Sequence, residues 1–124
     1  MEKLKGKVII ITGSSRGIGS NVAKTLAKNG AKVVVNYSGS EETAKSVVNE
    51  ILQRGGQAIA IKADVSKSED VKKLFQKTIE KFEKIDVLIN NAGIAIYKLI
   101  KDTTDEDFDR IFDINVKGVF NTMR

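Results

Sequence analysis

Three glycines follow an apolar run near the start of the chain, at a spacing that could hold a phosphate group. Residues 7–12 read KVIIIT and lead into GSSRGIG at residues 13–19. Gly13 would allow a sharp turn off a strand, Gly17 would let backbone approach a ligand, and Gly19 would let a helix pack on the strand. The amides and dipole of that helix would then attract a diphosphate. The same glycines could form a plain turn, because their spacing differs from the better-known G-x-G-x-x-G fingerprint.

Two further polar groups follow later apolar runs. Asn90-Asn91-Ala92-Gly93 ends the run at residues 86–90, and Asp64-Val65 follows the run at residues 57–63. In an open parallel sheet, ligands bind outside the carboxyl ends of the strands. The amides could line such a site, and Asp64 could accept a hydrogen bond from an adenine amino group. The alternatives are an Asn-Gly type of turn and a loop acid that precedes a helix cap.

The elements that must position these residues alternate between short apolar runs and amphipathic segments. Strands are predicted at residues 7–12, 32–36, 57–63 and 86–90. Helices are predicted from Ile18, after a cap at Ser38 or Ser40, after a capping box at residues 66–69, and from Thr104. The apolar residues predicted to face the core are Val22, Ala23, Leu26, Ala27, Ala44, Val47, Val48, Ile51, Leu52, Val71, Leu74, Phe75, Ile79, Phe82, Phe108, Ile111, Phe112, Ile114 and Val119. This alternation predicts an α/β fold of parallel β-α-β units.

The composition narrows the range of functions. The chain has 124 residues, which suits one domain, and it contains neither cysteine nor histidine. A disulfide framework, a thiolate metal site and a Ser-His-Asp triad are therefore excluded, and no metal is expected. No stretch reaches the ~20 apolar residues of a membrane span, and the first residues do not resemble a signal peptide, so we expect a cytoplasmic location and no membrane partner. The net charge of +5 is dispersed, so no nucleic-acid partner is expected.

Together these motifs resemble the classical short-chain dehydrogenase/reductase family, from about Leu4 to the last residue. The motifs that carry the resemblance are Gly13, Gly17 and Gly19, then Asp64, then residues 90–93, and DINVKG at residues 113–118. Within the family, the chain is most similar to 3-oxoacyl-[acyl-carrier-protein] reductases and glucose-dehydrogenase-like members. The resemblance implies one NAD(P)-binding domain over residues 1–124. Its fold would be a Rossmann-type, doubly wound parallel sheet of about four strands in the order 3-2-1-4, with helices on both faces.

The resemblance also implies roles for individual residues. The pyrophosphate would be held by Gly13, Gly17, Ile18 and Gly19; the adenine by Asp64 and Val65; and the riboses would lie beside Asn91, Ala92 and Gly93. Asn115 matches the family's catalytic asparagine, which shapes the last helix and supports a proton-relay water. The alternative for Asn115 is a polar residue within a helix that faces a neighbouring loop.

Cofactor preference depends on charge at the end of the second strand. An acidic residue there would bind the ribose hydroxyls and repel a 2′-phosphate, but this chain has Asn36, followed by Tyr37 and Ser38. Arg16 could bind a phosphate, and the hydroxyls of Ser15 and Ser38 could add hydrogen bonds. We therefore expect NADP(H) to be preferred, with NAD(H) still possible.

The family's acid/base tyrosine, its lysine and its serine lie well beyond the asparagine, and this chain ends nine residues after Asn115. We therefore expect cofactor binding without catalysis, and a carbonyl or alcohol substrate only in a longer protein. Tyr97 and Lys101 have the family's i, i+4 spacing, but Lys84 stands where the serine would be, so a surface role is expected.

Other interpretations stay open at this point. The chain could be a non-catalytic nucleotide-binding module or a self-assembling half of the fold. A nucleic-acid binder would need clustered basic residues, and a methyltransferase would usually have an acid in place of Asn36. Because the fourth strand would form an open edge, we also expect a homo-oligomer formed through that edge or the last helix, or else a requirement for the missing half of the fold.

Overall fold

The sheet has four parallel strands in the order β3-β2-β1-β4. The computed structural model describes residues 4–94 and 100–123. The strands are β1 (Val8–Ile11), β2 (Lys32–Tyr37), β3 (Gln57–Lys62) and β4 (Val87–Ile89). β1 pairs in parallel with β2 on one side and with β4 on the other. The predicted Rossmann-type sheet and its strand order are therefore confirmed.

Helices connect the strands and extend beyond the last one. They are α1 (Gly17–Lys28), α2 (Glu41–Gln53), α3 (Ser68–Phe82), α4 (Asp105–Phe112) and α5 (Gly118–Met123). A π-helical turn, Asp113–Lys117, joins α4 to α5. The last helix, predicted to be continuous, is therefore interrupted. In the part of the chain that the structure describes, no helix has the length and hydropathy needed to cross a membrane.

The core lies on both faces of the sheet. β1 is a run of four buried aliphatic residues, as expected for a central parallel strand. On one face, alternate β1 and β2 residues pack with Ala23 and Ala27 of α1 and with Val47 and Ile51 of α2. On the other face, Val8 and Ile10 of β1 and Val34 of β2 pack with Leu74 of α3. Helices therefore cover both faces, as predicted.

Four of the residues predicted to face the core are exposed instead: Leu52, Ile79, Phe108 and Phe112. Leu52 of α2 and Ile79 of α3 each have half of their surface exposed. Thr78 is buried next to Ile79, and its hydroxyl donates to the carbonyl of Leu74 at 2.8 Å. That bond satisfies the hydroxyl within the helix, so a polar residue can occupy the buried position and the larger apolar one faces outward.

The predicted caps were partly wrong. Ser40 caps α2, accepting a hydrogen bond from the Thr43 amide at 3.2 Å. The predicted capping box at residues 66–69 does not form, because Lys67 is the N-cap of α3 and makes no side-chain cap bond. Ser66 instead donates its hydroxyl to Asp64 Oδ1 at 2.6 Å.

A carboxylate fixes the start of β4 to the start of β1. Asp86 Oδ2 accepts from the Val8 amide at 2.8 Å and lies 2.9 Å from Lys84 Nζ. The hydrogen bond from the Val8 amide, followed by that from Lys84, lowers the pKa of Asp86 below its ordinary value. The contact helps to set the register in which Ile9 lies opposite Val87.

Candidate functional site

A recess of about 520 Å³ opens at the carboxyl ends of β1, β2 and β4. Ten of the predicted site residues line it: Gly13, Ser15, Arg16, Gly17, Ile18, Tyr37, Ser38, Asn91, Ala92 and Gly93. Six further residues that the sequence analysis did not predict as site residues also line it: Gly39, Ser40, Thr43, Ile94, Arg110 and Ile114. Among the described residues, this lining includes two arginines and no carboxylate. The recess therefore favours an anionic ligand.

The glycines allow the turn from β1 into α1 to pack closely. Gly13 and Gly17 both have a φ of +61°, a backbone conformation that is unfavourable for residues with a Cβ. A Cβ on Gly13 would lie 2.8 Å from Ala92 Cα, whereas one on Gly17 would meet nothing within 4 Å. A Cβ on Gly19 would lie 2.5 Å from Asn91 Nδ2. Gly13 and Gly19 therefore allow close packing, while Gly17 leaves open space.

The N-terminus of α1 is uncapped. Its N-cap residue, Arg16, is extended and makes no side-chain cap bond, and the first turn contains no acid. By contrast, Thr104 caps α4 in a capping box with Asp107, and three acids lie in the first turn of that helix. The first amides of a helix have no carbonyl partner within it. The amides of Gly17, Ile18 and Gly19 are therefore donors beside the recess, at the positive end of the helix dipole.

The ends of β1 and β4 are joined by a threonine that sequence reasoning missed. Thr12 Oγ1 accepts hydrogen bonds from the amides of Asn91 and Ala92, at 2.9 and 3.0 Å. The Asn91 side chain donates to the Gly13 carbonyl at 3.0 Å. Residues 91–92, both predicted site residues, are thus held against the glycine turn by hydrogen bonds from their backbone amides and from the Asn91 side chain.

The prediction that Asn36 contacts the cofactor is corrected by its surroundings. Its side chain is 2% exposed and does not line the recess. Asn36 Oδ1 accepts from the Gly13 amide at 3.1 Å, and Nδ2 donates to the carbonyls of Ile61 and Ala63 at 3.3 and 3.1 Å. Since donor and acceptor groups are both used within the protein, Asn36 supports the glycine turn from beneath. The residues that follow it, Tyr37 and Ser38, line the recess.

A second concavity, of about 690 Å³, adjoins the first. The two share Ser38, Gly39, Arg110 and Ile114, and Asp64 lines the second one. Asp64 Oδ1 accepts from the amide and the hydroxyl of Ser66, at 3.0 and 2.6 Å. Val65 is buried, lines neither recess, and accepts a hydrogen bond at its carbonyl from Asn121. Asp64 therefore faces the neighbouring concavity, with Val65 packed behind it.

Asn115 lies in the π-helical turn and bonds the loop after β4. Its Oδ1 accepts from the Ile94 amide at 2.7 Å, and its Nδ2 donates to the Ile94 carbonyl at 2.8 Å. The structural interpretation of Asn115, as a helix residue that faces a neighbouring loop, matches these contacts. Its catalytic role stays a prediction.

Comparison with known proteins identifies the family to which the chain belongs. The family model for short chain dehydrogenase matches residues 7–124. The chain belongs to the short-chain dehydrogenase family. An uncharacterized oxidoreductase of Methylorubrum extorquens is 48% identical over 119 residues, which cover 96% of this chain and 48% of that protein. A hydroxynaphthalene reductase-like protein of Metarhizium majus is 44% identical over 117 residues, or 94% of this chain and 44% of that protein.

A solved structure shows the same fold with a cofactor. The short chain dehydrogenase from Burkholderia cenocepacia in complex with NADP superposes with a TM-score of 0.92 at 40% identity, covering 97% of this chain and 49% of that one. The chain thus spans about half the length of the short-chain dehydrogenases that it matches. The narrower similarity to 3-oxoacyl-[acyl-carrier-protein] reductases or glucose-dehydrogenase-like members stays a prediction.

The remaining predictions concern a second tyrosine and metal ions. Tyr97, paired with Lys101 in the sequence, lies outside the described residues. Within residues 4–94 and 100–123, no group of three or more acidic side chains is arranged to hold a metal ion. In this short-chain dehydrogenase, the candidate site therefore consists of the glycine turn, the ends of β2 and β4, and the helical segment after β4.

Proposed function

We propose that these 124 residues bind NADP(H) and form the cofactor half of an oxidoreductase that transfers hydride between the nicotinamide and a carbonyl or alcohol. The observation that carries this proposal is the uncapped start of α1 at a recess whose described lining residues include two arginines and no carboxylate. Uncapped helix amides and the helix dipole favour a diphosphate. The NADP complex of the Burkholderia cenocepacia relative supports the same cofactor.

The residues present fit a dinucleotide. The amides of Gly17, Ile18 and Gly19 would bind the diphosphate, with room left by the absence of a side chain at Gly17. Asp64 would accept from the adenine amino group, using the carboxylate oxygen that Ser66 does not engage. Asn91, Ala92 and Gly93 would contact the riboses. When bound, the nicotinamide ring supplies or accepts the hydride.

We propose that proton transfer depends on residues outside these 124. A tyrosine with an ordinary pKa near ~10 is a poor base at neutral pH without a cationic neighbour. Asn115 would hold the loop after β4 in place and support a proton-relay water. We therefore expect the 124 residues to bind cofactor but not to reduce a ketone, and catalysis to need the complementary half of the fold.

Arg16 tests the preference for NADP(H). Arg16→Ala should weaken NADPH binding by about tenfold, the equivalent of one charge-assisted hydrogen bond, and leave NADH binding nearly unchanged. Calorimetric titration of both cofactors measures this ratio. Arg54→Ala is the matched control, because Arg54 is an exposed arginine paired with Glu50 on α2. An unchanged ratio of the two affinities in Arg16→Ala would refute the preference.

The second candidate function is a self-assembling, non-catalytic nucleotide-binding module. It is favoured by four exposed apolar side chains in the helical segment after β4, here called the apolar stripe: Phe108, Phe112, Val116 and Met123. These side chains are between 48% and 74% exposed. The rings of Phe108 and Phe112 stack, with centroids 4.5 Å apart. Since exposed apolar surface often marks a protein–protein interface, we propose that a second copy of the chain covers these side chains, forming a homo-oligomer.

Phe112→Asp tests this homo-oligomer. A charge in the middle of the apolar stripe should convert an assembly into monomers, as measured by light scattering after size-exclusion chromatography. Ile79→Asp is the control, since Ile79 is similarly exposed but lies on α3. If the unmodified protein is already a monodisperse monomer, the homo-oligomer is excluded.

A further inference from the structure

A buried polar contact ties α5 to the segment that follows β3. Asn121 Nδ2 donates to the Val65 carbonyl at 2.9 Å, and both residues are buried. One turn earlier, Gly118 lies directly against the same residue, since a Cβ there would be 2.6 Å from Val65 Cγ2. α5 therefore packs immediately behind residues 64–66, and only a residue without a side chain allows that approach.

Two further hydrogen bonds of this segment are local. The Asp64 amide donates to Asp70 Oδ2 at 2.9 Å, and Asp64 Oδ1 accepts from Ser66. Asn121 instead reaches the segment from 56 residues further along the chain. Its neighbour Thr122 donates to Asn90 Oδ1 at the end of β4. α5 therefore connects the ends of two strands that are not adjacent in the sheet.

We propose that Asn121 is a positioning residue for the adenosine end of the dinucleotide site. It fixes the Val65 carbonyl from behind, and so sets where the Asp64 carboxylate stands in the neighbouring concavity. This inference rests on the proposed function. A buried carbonyl that loses its donor is destabilised, so the segment would shift to find another partner and Asp64 would move with it. The amides at the start of α1 are built from other residues and would keep their positions.

The test separates the two ends of the site. Asn121→Leu keeps a similar side-chain volume but removes the hydrogen-bond donor. The affinity of this variant protein is measured for adenosine 2′,5′-bisphosphate and for inorganic pyrophosphate. We expect the dissociation constant of the bisphosphate to rise by about tenfold, as for one lost buried hydrogen bond, while that of pyrophosphate stays within about twofold. Thr78→Val is the matched control, because it removes a buried hydroxyl that bonds only within α3. It should lower stability without a selective effect on the bisphosphate.

A second variant covers the case in which Asn121→Leu fails to fold. Gly118→Ala pushes on Val65 sterically and should produce the same selective loss. The inference is overturned if the bisphosphate binds the folded variant as it does the control, or if pyrophosphate affinity falls equally. If the unmodified protein binds neither NADPH nor the bisphosphate, the proposed function itself fails and this inference fails with it.

Discussion

Gly19→Ala is expected to reduce NADPH affinity by on the order of 100-fold and to lower stability by about 1–3 kcal/mol. The new Cβ would lie 2.5 Å from Asn91 Nδ2, 2.8 Å from the Gly13 carbonyl oxygen and 2.9 Å from Ser14 Cα. Two of these atoms are backbone atoms of the turn, so the start of α1 must move away from the end of β1. The bond between Asn91 and Gly13 would break, and the amides proposed to bind the diphosphate would be misplaced. Titration calorimetry with NADPH measures the affinity, and urea denaturation measures the stability.

Gly39→Ala is the matched control for this prediction. Gly39 also lines the recess, but a Cβ there would meet nothing within 4 Å, and its φ is not positive. Its affinity for NADPH should therefore stay within a few-fold of the unmodified protein. If Gly19→Ala and Gly39→Ala bind NADPH equally well, the close approach at Gly19 does not shape the cofactor site.

Asn36→Leu is expected to lower the free energy of unfolding by about 3–5 kcal/mol, because it leaves several buried backbone groups without their partners. The amide of Gly13 and the carbonyls of Ile61 and Ala63 all bond to the Asn36 side chain. Leucine has a similar volume, so the loss reports the hydrogen bonds more than a cavity. A domain of this kind has only about 5–15 kcal/mol in total. The measurement is the midpoint and slope of urea denaturation.

Asn49→Leu is the corresponding control, since Asn49 is an exposed asparagine on α2. It should change stability by less than about 0.5 kcal/mol, as is usual for surface positions. A loss below 1 kcal/mol in Asn36→Leu would show that water or a shift of the chain replaces these bonds, and that Asn36 is not the support of the glycine turn.

Much of the fold could be predicted because each helix and strand is marked by a pattern within its own stretch of sequence. The run of β-branched residues in β1 and the 3.6-residue periodicity of the helices identify the elements directly. The strand order was implied by the family resemblance rather than by any local pattern. The glycine turn was also predictable, since few residue types other than glycine tolerate the positive φ of Gly13 and Gly17.

The role of Asn36 could not be read from its position. A residue at the end of a strand can face the ligand or the sheet beneath it, and the choice here depends on the amide of Gly13, 23 residues away. The charge argument treated Asn36 as the residue that faces the cofactor. The structure places Tyr37 and Ser38 at the recess instead.

Two similar cap signals had different outcomes. Thr104, predicted to open α4, forms a capping box with Asp107, whereas Ser66 does not cap α3. The difference is Asp64, two residues before Ser66, whose carboxylate accepts both the amide and the hydroxyl of that serine. Short polar side chains bond whichever nearby backbone or side-chain partner is available, and sequence spacing alone does not show which one prevails.

The π-helical turn was also missed, because apolar periodicity over residues 104–119 fits an uninterrupted helix. In the structure, Asn115 bonds both backbone groups of Ile94 from within that turn. π-Helical turns occur often at functional sites. The only sequence signal for it was the asparagine in the middle of a helix, where an amide competes with regular backbone bonding.

A crystal structure of the protein grown with NADP⁺ tests the central claim most directly. The account predicts diphosphate oxygens about 3 Å from the amide nitrogens at the start of α1, at Gly17, Ile18 and Gly19, with the 2′-phosphate beside Arg16 and Ser38. A diphosphate bound elsewhere on the protein would contradict the account, and so would a complex in which a side chain covers those amides.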